Sequence, residues 1–275
     1  MWKKVASCIL WVFIHSQIFS QYNTVDKLQL KTSNSSFYGY TMHDFIYNGR
    51  ACKIVIPHKT AKGNPWIWRA RFWGHEPQTD TVLLSKGYHV VYCDVVELYG
   101  NNYAVKIWNK FYALMQKGGL AKKVVLEGMS RGGLYIYNWA AENPDKVACV
   151  YADAPVLDIK SWPGGLGSGP GSQPEWDSCK KAWNLFSKDQ IRRFKNSPLD
   201  KVKKIVKGGY PMLHVCGEDD EVVPMSENTD LFEQRVRAHG GNITVLRKKG
   251  VKHHPHSLKD PTVIVDFILR SNKIQ

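Results

Sequence analysis

The segment VVLEGMSRGGLYIYNWAAEN, residues 124–143, decides the fold of this chain. Its apolar run VVLEG is typical of a buried strand, and GGLYIYNWAAEN, which stops before Pro144, is typical of a helix. Between them, residues 128–132 (GMSRG) follow the pattern G-x-S-x-G, whose glycines let a strand turn sharply into a helix. Such a turn exposes the hydroxyl of Ser130, which is therefore the predicted nucleophile. The alternative, a phosphate-binding loop, would need a lysine and a longer spacing.

On both sides of this segment, short apolar runs alternate with helical stretches. The other predicted strands are FYGYTMHDFIY, ACKIVIP, PWIWRA, YHVVYCDV, KVACVYADAP, YPMLHVCG and NITVLRK. The other predicted helices cover residues 77–86, 104–116, 226–239 and 261–271. Asn48 and Gly49 separate the first two strands and predict a hairpin. The alternation predicts an α/β fold, with a mostly parallel, doubly wound sheet and helices on both faces.

One segment interrupts this alternation. Residues 161–176, SWPGGLGSGPGSQPEW, are rich in glycine, proline and tryptophan, so they are predicted to form no regular structure. The segment follows the sixth predicted strand, and helices are predicted over residues 177–197. Because tryptophan is unusual in flexible linkers, residues 160–197 are predicted to be a lid insertion over the site.

Together, these residues resemble the α/β-hydrolase superfamily over residues 54–272. The phrases RARFWGHEPQTD, DIKSWPGG and GVKHHPHSL are similar to those of an exported bacterial branch described as hydrolases or esterases. Members of that branch are associated with polysaccharide breakdown. The resemblance therefore implies a serine hydrolase whose substrate is a carbohydrate ester.

The resemblance also implies where the acid of a catalytic triad lies. In this superfamily the acid and then the base follow the serine along the chain. Residues 217–224, GEDDEVVP, resemble the superfamily's G-x-x-D-x-x-V-P loop, and that register selects Asp220. The alternatives are the neighbouring Asp219, and Asp153 or Asp158 after the sixth predicted strand.

The base is expected in residues 250–256, GVKHHPH, after the last predicted strand. The superfamily places its histidine about three residues after a glycine, which selects His253. His254 and His256 are alternative bases and are otherwise predicted to bind substrate. Three histidines in four residues also suggest a metal site. However, no second cluster at ligand spacing accompanies them, so no metal or cofactor is predicted.

An oxyanion hole should combine the N–H of Arg131 with one from the loop after the third predicted strand. That loop, residues 68–77 (WRARFWGHEP), lacks the His-Gly of many superfamily members, so the amides of Ala70 and Arg71 both remain candidates. Four further side chains are predicted to bind substrate: Trp73, His75, Glu76 and Trp162. In the alternative interpretation the aromatic residues are core and Glu76 begins a helix.

The N-terminus has the layout of a secretory signal. Lys3 and Lys4 precede an apolar run that ends at Ser20, so residues 1–20 are predicted to be a cleaved signal peptide. An uncleaved anchor is the alternative. The run is shorter than the roughly 20 apolar residues of a comfortable membrane span. Residues 21–275 are thus expected to form one domain, periplasmic or secreted, with no stable membrane span after cleavage.

The chain is strongly basic, with a formal net charge of +14 that falls to +12 without Lys3 and Lys4. A basic surface attracts anionic partners, and an acidic polymer is the expected one in an exported protein. Nucleic acid is not predicted, because no basic run with interleaved aromatics occurs. A scattered solvated surface is the alternative.

Five cysteines follow the signal, an odd number spread too widely for a disulfide framework. Three of them lie inside strand-like apolar runs, where cysteine acts as a small buried hydrophobe. A bridge between Cys52 and Cys179 is the one pairing that merits a test.

The leading functional prediction is a carboxylic-ester hydrolase that works through a Ser-His-Asp triad and an acyl-enzyme, on a small-molecule or saccharide ester. A small serine peptidase of the same fold is the alternative, although no propeller domain precedes the catalytic part. A non-catalytic binding protein is disfavoured, because all three catalytic residue types occur in order.

Overall fold

A computed structural model describes residues 24–273 of the chain. The predicted signal peptide, residues 1–20, lies outside the described residues. In the part described, no helix is both long and apolar enough to cross a membrane.

The centre of the fold is a nine-stranded sheet formed by the described residues, in the order β1-β2-β3-β5-β4-β6-β7-β8-β9. The strands are β1 (Ser33–Phe37), β2 (Tyr40–Tyr47), β3 (Arg50–Ile56), β4 (Trp66–Ala70), β5 (His89–Cys93), β6 (Val124–Met129), β7 (Val147–Asp153), β8 (Met212–Gly217) and β9 (Ile243–Lys248). Strands β4 to β9 are parallel to their neighbours in this set, whereas β1, β2 and β3 join antiparallel. The predicted hairpin is present, because Asn48 and Gly49 both have positive φ between β2 and β3.

Helices cover both faces of this sheet. They are α1 (Thr24–Leu28), α2 (Gln78–Ser85), α3 (Asn102–Lys117), α4 (Gly132–Glu142), α5 (Gln173–Trp183), α6 (Lys188–Arg193), α7 (Val202–Ile205), α8 (Thr229–Ala238) and α9 (Thr262–Lys273). The core on one face includes buried residues of α3, α4 and α8, and the core on the other includes those of α2 and α9. The predicted doubly wound α/β architecture is therefore confirmed.

Strand β4 shows how the sequence separates the two cores. Trp66 and Trp68 point to the face of α3 and α4, where the Trp68 ring stacks on Trp108 with centroids 4.1 Å apart. Ile67, between them, belongs to the opposite core. Because alternate residues of a strand face opposite sides, this fully buried strand anchors helices on both faces.

Several local elements differ from the sequence predictions. Strand β1 was not predicted because SNSSF lacks alternating apolar residues, and four of its five residues are exposed at the sheet edge. The short helix α1 was also missed. The prediction of irregular structure is wrong for residues 173–176, because α5 already begins at Gln173. Pro174 is compatible with a first helical turn, where its missing N–H breaks no bond, and Glu175 complements the helix dipole there.

The five cysteines in the described residues are all free and buried. Cys52 on β3 faces Cys93 on β5 across an antiparallel pair of strands. The Cys52–Cys179 bridge considered from the sequence is therefore absent from this structure.

Two buried histidines are expected to make folding sensitive to acid. Burial lowers the pKa of His214 to about 3, and burial lowers the pKa of His89 to about 4, partly opposed by a hydrogen bond with the Pro65 carbonyl. In the unfolded chain both histidines bind a proton near pH 6.5. The folded protein therefore has its full stability above that pH and loses stability as the pH falls, down to about 4 for His89 and about 3 for His214. Each histidine should lower the free energy of unfolding by about 1.4 kcal/mol for each pH unit in that window. Urea unfolding at pH 7.5 and pH 5 measures the loss.

The His214→Gln variant provides the matched comparison for this prediction, because an amide can replace the ring as partner of Tyr137 and Thr229 but does not titrate. We expect a shallower dependence of the unfolding free energy on pH in this variant. An equal dependence in wild type and variant would show that His214 is not the acid-sensitive group.

Candidate active site

The predicted elbow carries Ser130 between β6 and α4. Its φ is +48°, in the left-handed region that non-glycine residues rarely adopt. A Cβ on Gly128 would lie 2.8 Å from the backbone of Gly132, and a Cβ on Gly132 would lie 3.0 Å from the Ala70 carbonyl. The two glycines of the motif thus allow strand, turn and helix to pack closely. The Ser130 N–H donates to the Asp153 carbonyl at 2.8 Å, which fixes the turn to β7.

The structure brings Ser130, His253 and Asp220 together. Ser130 Oγ lies 3.0 Å from His253 Nε2, and His253 Nδ1 lies 2.7 Å from Asp220 Oδ2. The second carboxylate oxygen of Asp220 accepts the N–H groups of Val222 and Val223 at 2.9 and 2.8 Å. With Nδ1–H directed at Asp220, Nε2 is left to accept the serine proton. All three side chains follow the carboxyl ends of parallel strands, where ligands of open α/β sheets bind.

The structure also places the alternative acids. Asp219 is exposed on the same loop, whereas Asp220 is buried and holds the histidine. Asp158 accepts hydrogen bonds from Ser197 Oγ and the Lys160 N–H, both at 3.0 Å, so it stabilises a turn. The carboxylate that orients His253 is therefore that of Asp220.

Asp153 pairs instead with a second histidine. Its Oδ1 lies 2.8 Å from His256 Nδ1, and its Oδ2 accepts the Ser257 N–H at 2.7 Å and the Tyr151 hydroxyl at 3.1 Å. Asp153 and His256 are both buried. The histidine loop is thus fixed to β7 by one Asp–His pair, while the neighbouring pair, Asp220 and His253, faces the serine.

His253, His254 and His256 form a compact cluster, with their ligand-type nitrogen atoms within 4.8 Å of one another. His75, from the loop after β4, adds a fourth ring 6.1 Å from His254 and 6.0 Å from His256. Burial, followed by the neighbouring histidines, lowers the pKa of His254. Since Asp220 and Ser130 occupy both nitrogens of His253, a metal at that residue would have to displace one of them.

The oxyanion-hole candidates lie where β4 ends beside the elbow. Ala70 is the last residue of β4 and pairs with Gly128 of β6. Arg71 lies beyond that ladder, and the chain turns at Arg71 and Phe72, whose φ values are +57° and +46°. Of the two candidate amides, that of Arg71 therefore lies outside the strand ladder.

A buried ion cluster holds this turn in place. Arg69 Nη1 lies 2.5 Å from Asp80 and 3.2 Å from Glu127, and all three residues are at most 1 % exposed. The same guanidinium donates to the carbonyls of Phe72 and His75 within the turn. Burial, followed by the charge of Asp80, raises the pKa of Glu127 well above its ordinary value, and Asp80 is the carboxylate nearer to Arg69.

Replacing Arg69 by methionine should destabilise the fold by about 3–5 kcal/mol, because the buried Asp80 charge would lose its partner. Glu127→Gln is the matched control, since an amide resembles the protonated carboxyl that the site favours. We expect the control to lose less than about 1.5 kcal/mol. Urea unfolding of both variants measures these differences, and an equal loss in the two would argue against the assigned charge state.

The four predicted substrate-binding side chains differ in their surroundings. The Trp162 ring lies over the Arg131 guanidinium at 5.4 Å, and His75 is exposed beside the histidine cluster. Trp73 instead packs on Phe37 and Tyr92, away from the triad contacts. Glu76 accepts a hydrogen bond from the Gln78 side chain at 2.8 Å. It does not begin a helix, because its φ is +46° and α2 starts at Gln78.

Residues 160–197, the predicted lid, contact the elbow directly. Glu175 of α5 pairs with Arg131 and also accepts the Tyr99 hydroxyl. Trp162 contacts Arg131 from the other end of the Gly- and Pro-rich segment. The segment therefore lies against the residue that follows Ser130.

Gly217, which opens the acid-loop pattern, has a steric role that the sequence did not indicate. A Cβ on Gly217, at the end of β8, would lie 2.2 Å from the carbonyl oxygens of Val251 and Lys252. The Asp219 N–H donates to the Val251 carbonyl at 3.0 Å. The acid loop and the histidine loop are thus in backbone contact.

The fold and the arrangement of Ser130, His253 and Asp220 define an α/β-hydrolase of the serine hydrolase type. Residues 78–270 match the prolyl oligopeptidase family (Peptidase_S9), and the chain belongs to this family. A comparison with curated proteins finds no match.

Solved structures of similar fold include peptidases and esterases. A dipeptidyl peptidase 4 from Porphyromonas gingivalis has 14% identity and a TM-score of 0.63 over 88% of this chain and 35% of its own. An S-formylglutathione hydrolase from Agrobacterium tumefaciens has 15% identity and a TM-score of 0.58 over 88% of this chain and 96% of its own. Est1E from Butyrivibrio proteoclasticus has 18% identity and a TM-score of 0.57 over 88% and 99%. The chain thus spans about a third of the dipeptidyl peptidase.

Proposed function

We propose that the chain is a carboxylic-ester hydrolase with Ser130 as nucleophile, His253 as base and Asp220 as the acid that orients it. The observation that carries the proposal is the continuous contact from Asp220 through His253 to Ser130, with separations of 2.7 and 3.0 Å. These separations are within the reach of direct proton transfer.

The proposed reaction has two steps. Ser130 Oγ attacks the ester carbonyl while His253 Nε2 takes its proton, and the amides of Arg131 and Arg71 stabilise the oxyanion. His253 then returns the proton to the departing alcohol, which leaves an acyl-enzyme. A water molecule activated by the same histidine releases the acid and restores Ser130.

A peptidase of the same fold is the second candidate, favoured by membership of the prolyl oligopeptidase family. The same triad could cleave a peptide bond, because His253 can return its proton to a leaving amine as well as to an alcohol. An ester is the less demanding substrate, since its alcohol is the better leaving group. Turnover of p-nitrophenyl acetate and of aminoacyl p-nitroanilides by the purified protein, with Ser130→Ala as the control, separates the two activities. Faster Ser130-dependent cleavage of the anilides would favour the peptidase.

We further propose that the natural ester is carried by a saccharide, on the strength of the sequence resemblance. Trp162, over Arg131, offers an aromatic surface on which a sugar ring can stack. A panel of acetylated, feruloylated and methyl-esterified polysaccharides tests this proposal by release of acid or methanol. Activity on simple aryl esters alone would contradict it.

Export, and residues 160–197 as a lid, are also proposals. A protein cleaved after Ser20 would begin at Gln21, which N-terminal sequencing of protein recovered from outside the cytoplasm would detect. An unprocessed N-terminus would contradict the signal-peptide prediction.

A further inference from the structure

Two arginine side chains lie at the elbow, on a shared aromatic ring. The Arg71 guanidinium lies 4.9 Å from the centroid of the Phe72 ring, and the Arg131 guanidinium lies 5.8 Å from the same centroid. Arg131 directly follows Ser130 in the chain. Arg71 follows Ala70, which pairs with Gly128 of the elbow, so the two positive charges are carried by residues that lie on either side of the elbow.

The charge of Arg131 is already matched within the protein. Its guanidinium pairs with Glu175, and it also lies over the rings of Tyr99 and Trp162 at 5.9 and 5.4 Å. The Arg131 side chain is only 11% exposed. Its position is thus fixed without any substrate.

The charge of Arg71 is not matched in this way. Within residues 24–273 its side chain donates no hydrogen bond and forms no ion pair, and its buried Nε has no partner. Residues 1–23 and 274–275 contain no Asp or Glu that could supply a carboxylate side chain. Burial, followed by the charge of Arg131, lowers the pKa of Arg71. Glu175, whose charge partly opposes this effect, is already paired with Arg131, so the two guanidinium groups share one carboxylate and Arg71 has no ion pair of its own.

We propose that Arg71 binds a carboxylate of the substrate, so that the preferred ester carries an anionic group near its scissile bond. This inference rests on the proposed ester hydrolysis at Ser130. A guanidinium binds a carboxylate through two parallel hydrogen bonds, and a neutral hydroxyl or amide cannot compensate its charge. The excess positive charge of the chain would also draw an anionic substrate to the site.

Two matched pairs of esters test this subsite and show which side of the ester carries the anion. On the acyl side, mono-4-nitrophenyl glutarate is compared with 4-nitrophenyl butyrate. On the alcohol side, 4-acetoxybenzoate is compared with its methyl ester. For each pair, the measured quantity is kcat/KM for the anionic ester divided by kcat/KM for the neutral ester. We expect Arg71→Ala to lower this ratio in one of the two pairs by on the order of 10- to 100-fold.

The control is Arg270→Ala, which removes the same charge from an exposed position. Arg270 lies on α9, the helix whose buried residues belong to the core shared with α2. We expect this variant to keep both the ratio and the activity of the wild type. If Arg71→Ala does not fold, Arg71→Gln removes the charge and retains a polar side chain of similar reach. The ratio should fall in that variant as well.

The outcomes separate the subsite from the proposed function. If neither ratio changes in the Arg71 variants while Ser130→Ala abolishes turnover of every ester, the carboxylate subsite is overturned and ester hydrolysis stands. If Arg270→Ala lowers the ratio as much as Arg71→Ala, general charge attraction replaces the subsite. If Ser130→Ala hydrolyses all four esters at the wild-type rate, the proposed function itself fails.

Discussion

Replacing Ser130 by alanine should lower kcat for ester hydrolysis by about 10⁴-fold or more, because the attacking oxygen is removed. The fold should be unaffected, since alanine keeps the Cβ at this strained position and the close packing depends on Gly128 and Gly132. A fluorophosphonate probe should label the wild type and leave Ser130→Ala unlabelled. Thermal unfolding of the two proteins should give the same Tm within error.

Ser85→Ala is the matched control, because this serine is exposed near the end of α2 and its hydroxyl bonds only the Val82 carbonyl. It should be labelled and active like the wild type. Equal labelling of wild type and Ser130→Ala would place the reactive nucleophile elsewhere.

Asp220→Asn should fold normally and lose about 10⁴-fold in kcat. The side-chain oxygen of the introduced asparagine can still accept the N–H groups of Val222 and Val223, while its NH₂ group would face His253 Nδ1. The ring would then carry its proton on Nε2, the tautomer that cannot accept the proton of Ser130. Steady-state kinetics on an aryl ester, with Tm as the measure of folding, provides the test.

Two other aspartates sharpen this prediction. Asp219→Asn changes an exposed neighbour and should retain nearly full activity. Asp153→Asn alters the pair with His256, so it should lower stability, with a far smaller loss of kcat than Asp220→Asn. If Asp153→Asn or Asp219→Asn is the inactive variant, the assignment of the acid is wrong.

The features that the sequence predicted well are local in the chain. The G-x-S-x-G elbow is encoded within residues 128–132, and the alternating apolar runs give the α/β class. The pattern that selects Asp220 lies within residues 217–224, and the pattern that selects His253 lies within residues 250–256. The structure then brings these loops together, as expected from strands that are parallel.

The features that the sequence did not predict depend on contacts between distant residues. Arg69 and Glu127 are 58 residues apart, and Asp153 and His256 are 103 apart. Each of these charged residues alone is compatible with an ordinary surface position. Only the folded sheet places the members of each pair in buried contact. The edge strand β1 was missed for another reason, since its polar side chains carry no burial pattern.

The contacts of Arg69 have a consequence for how the protein responds to heat. This side chain connects β6, which leads into the elbow, with the turn that carries the proposed second oxyanion donor. The two halves of the site thus keep their relative orientation before substrate arrives, and little reorganisation is required as charge develops. We therefore expect the enzyme to lose activity only when the sheet itself unfolds. The temperature of inactivation should then coincide with Tm, with no earlier loss of activity from loosening of the turn.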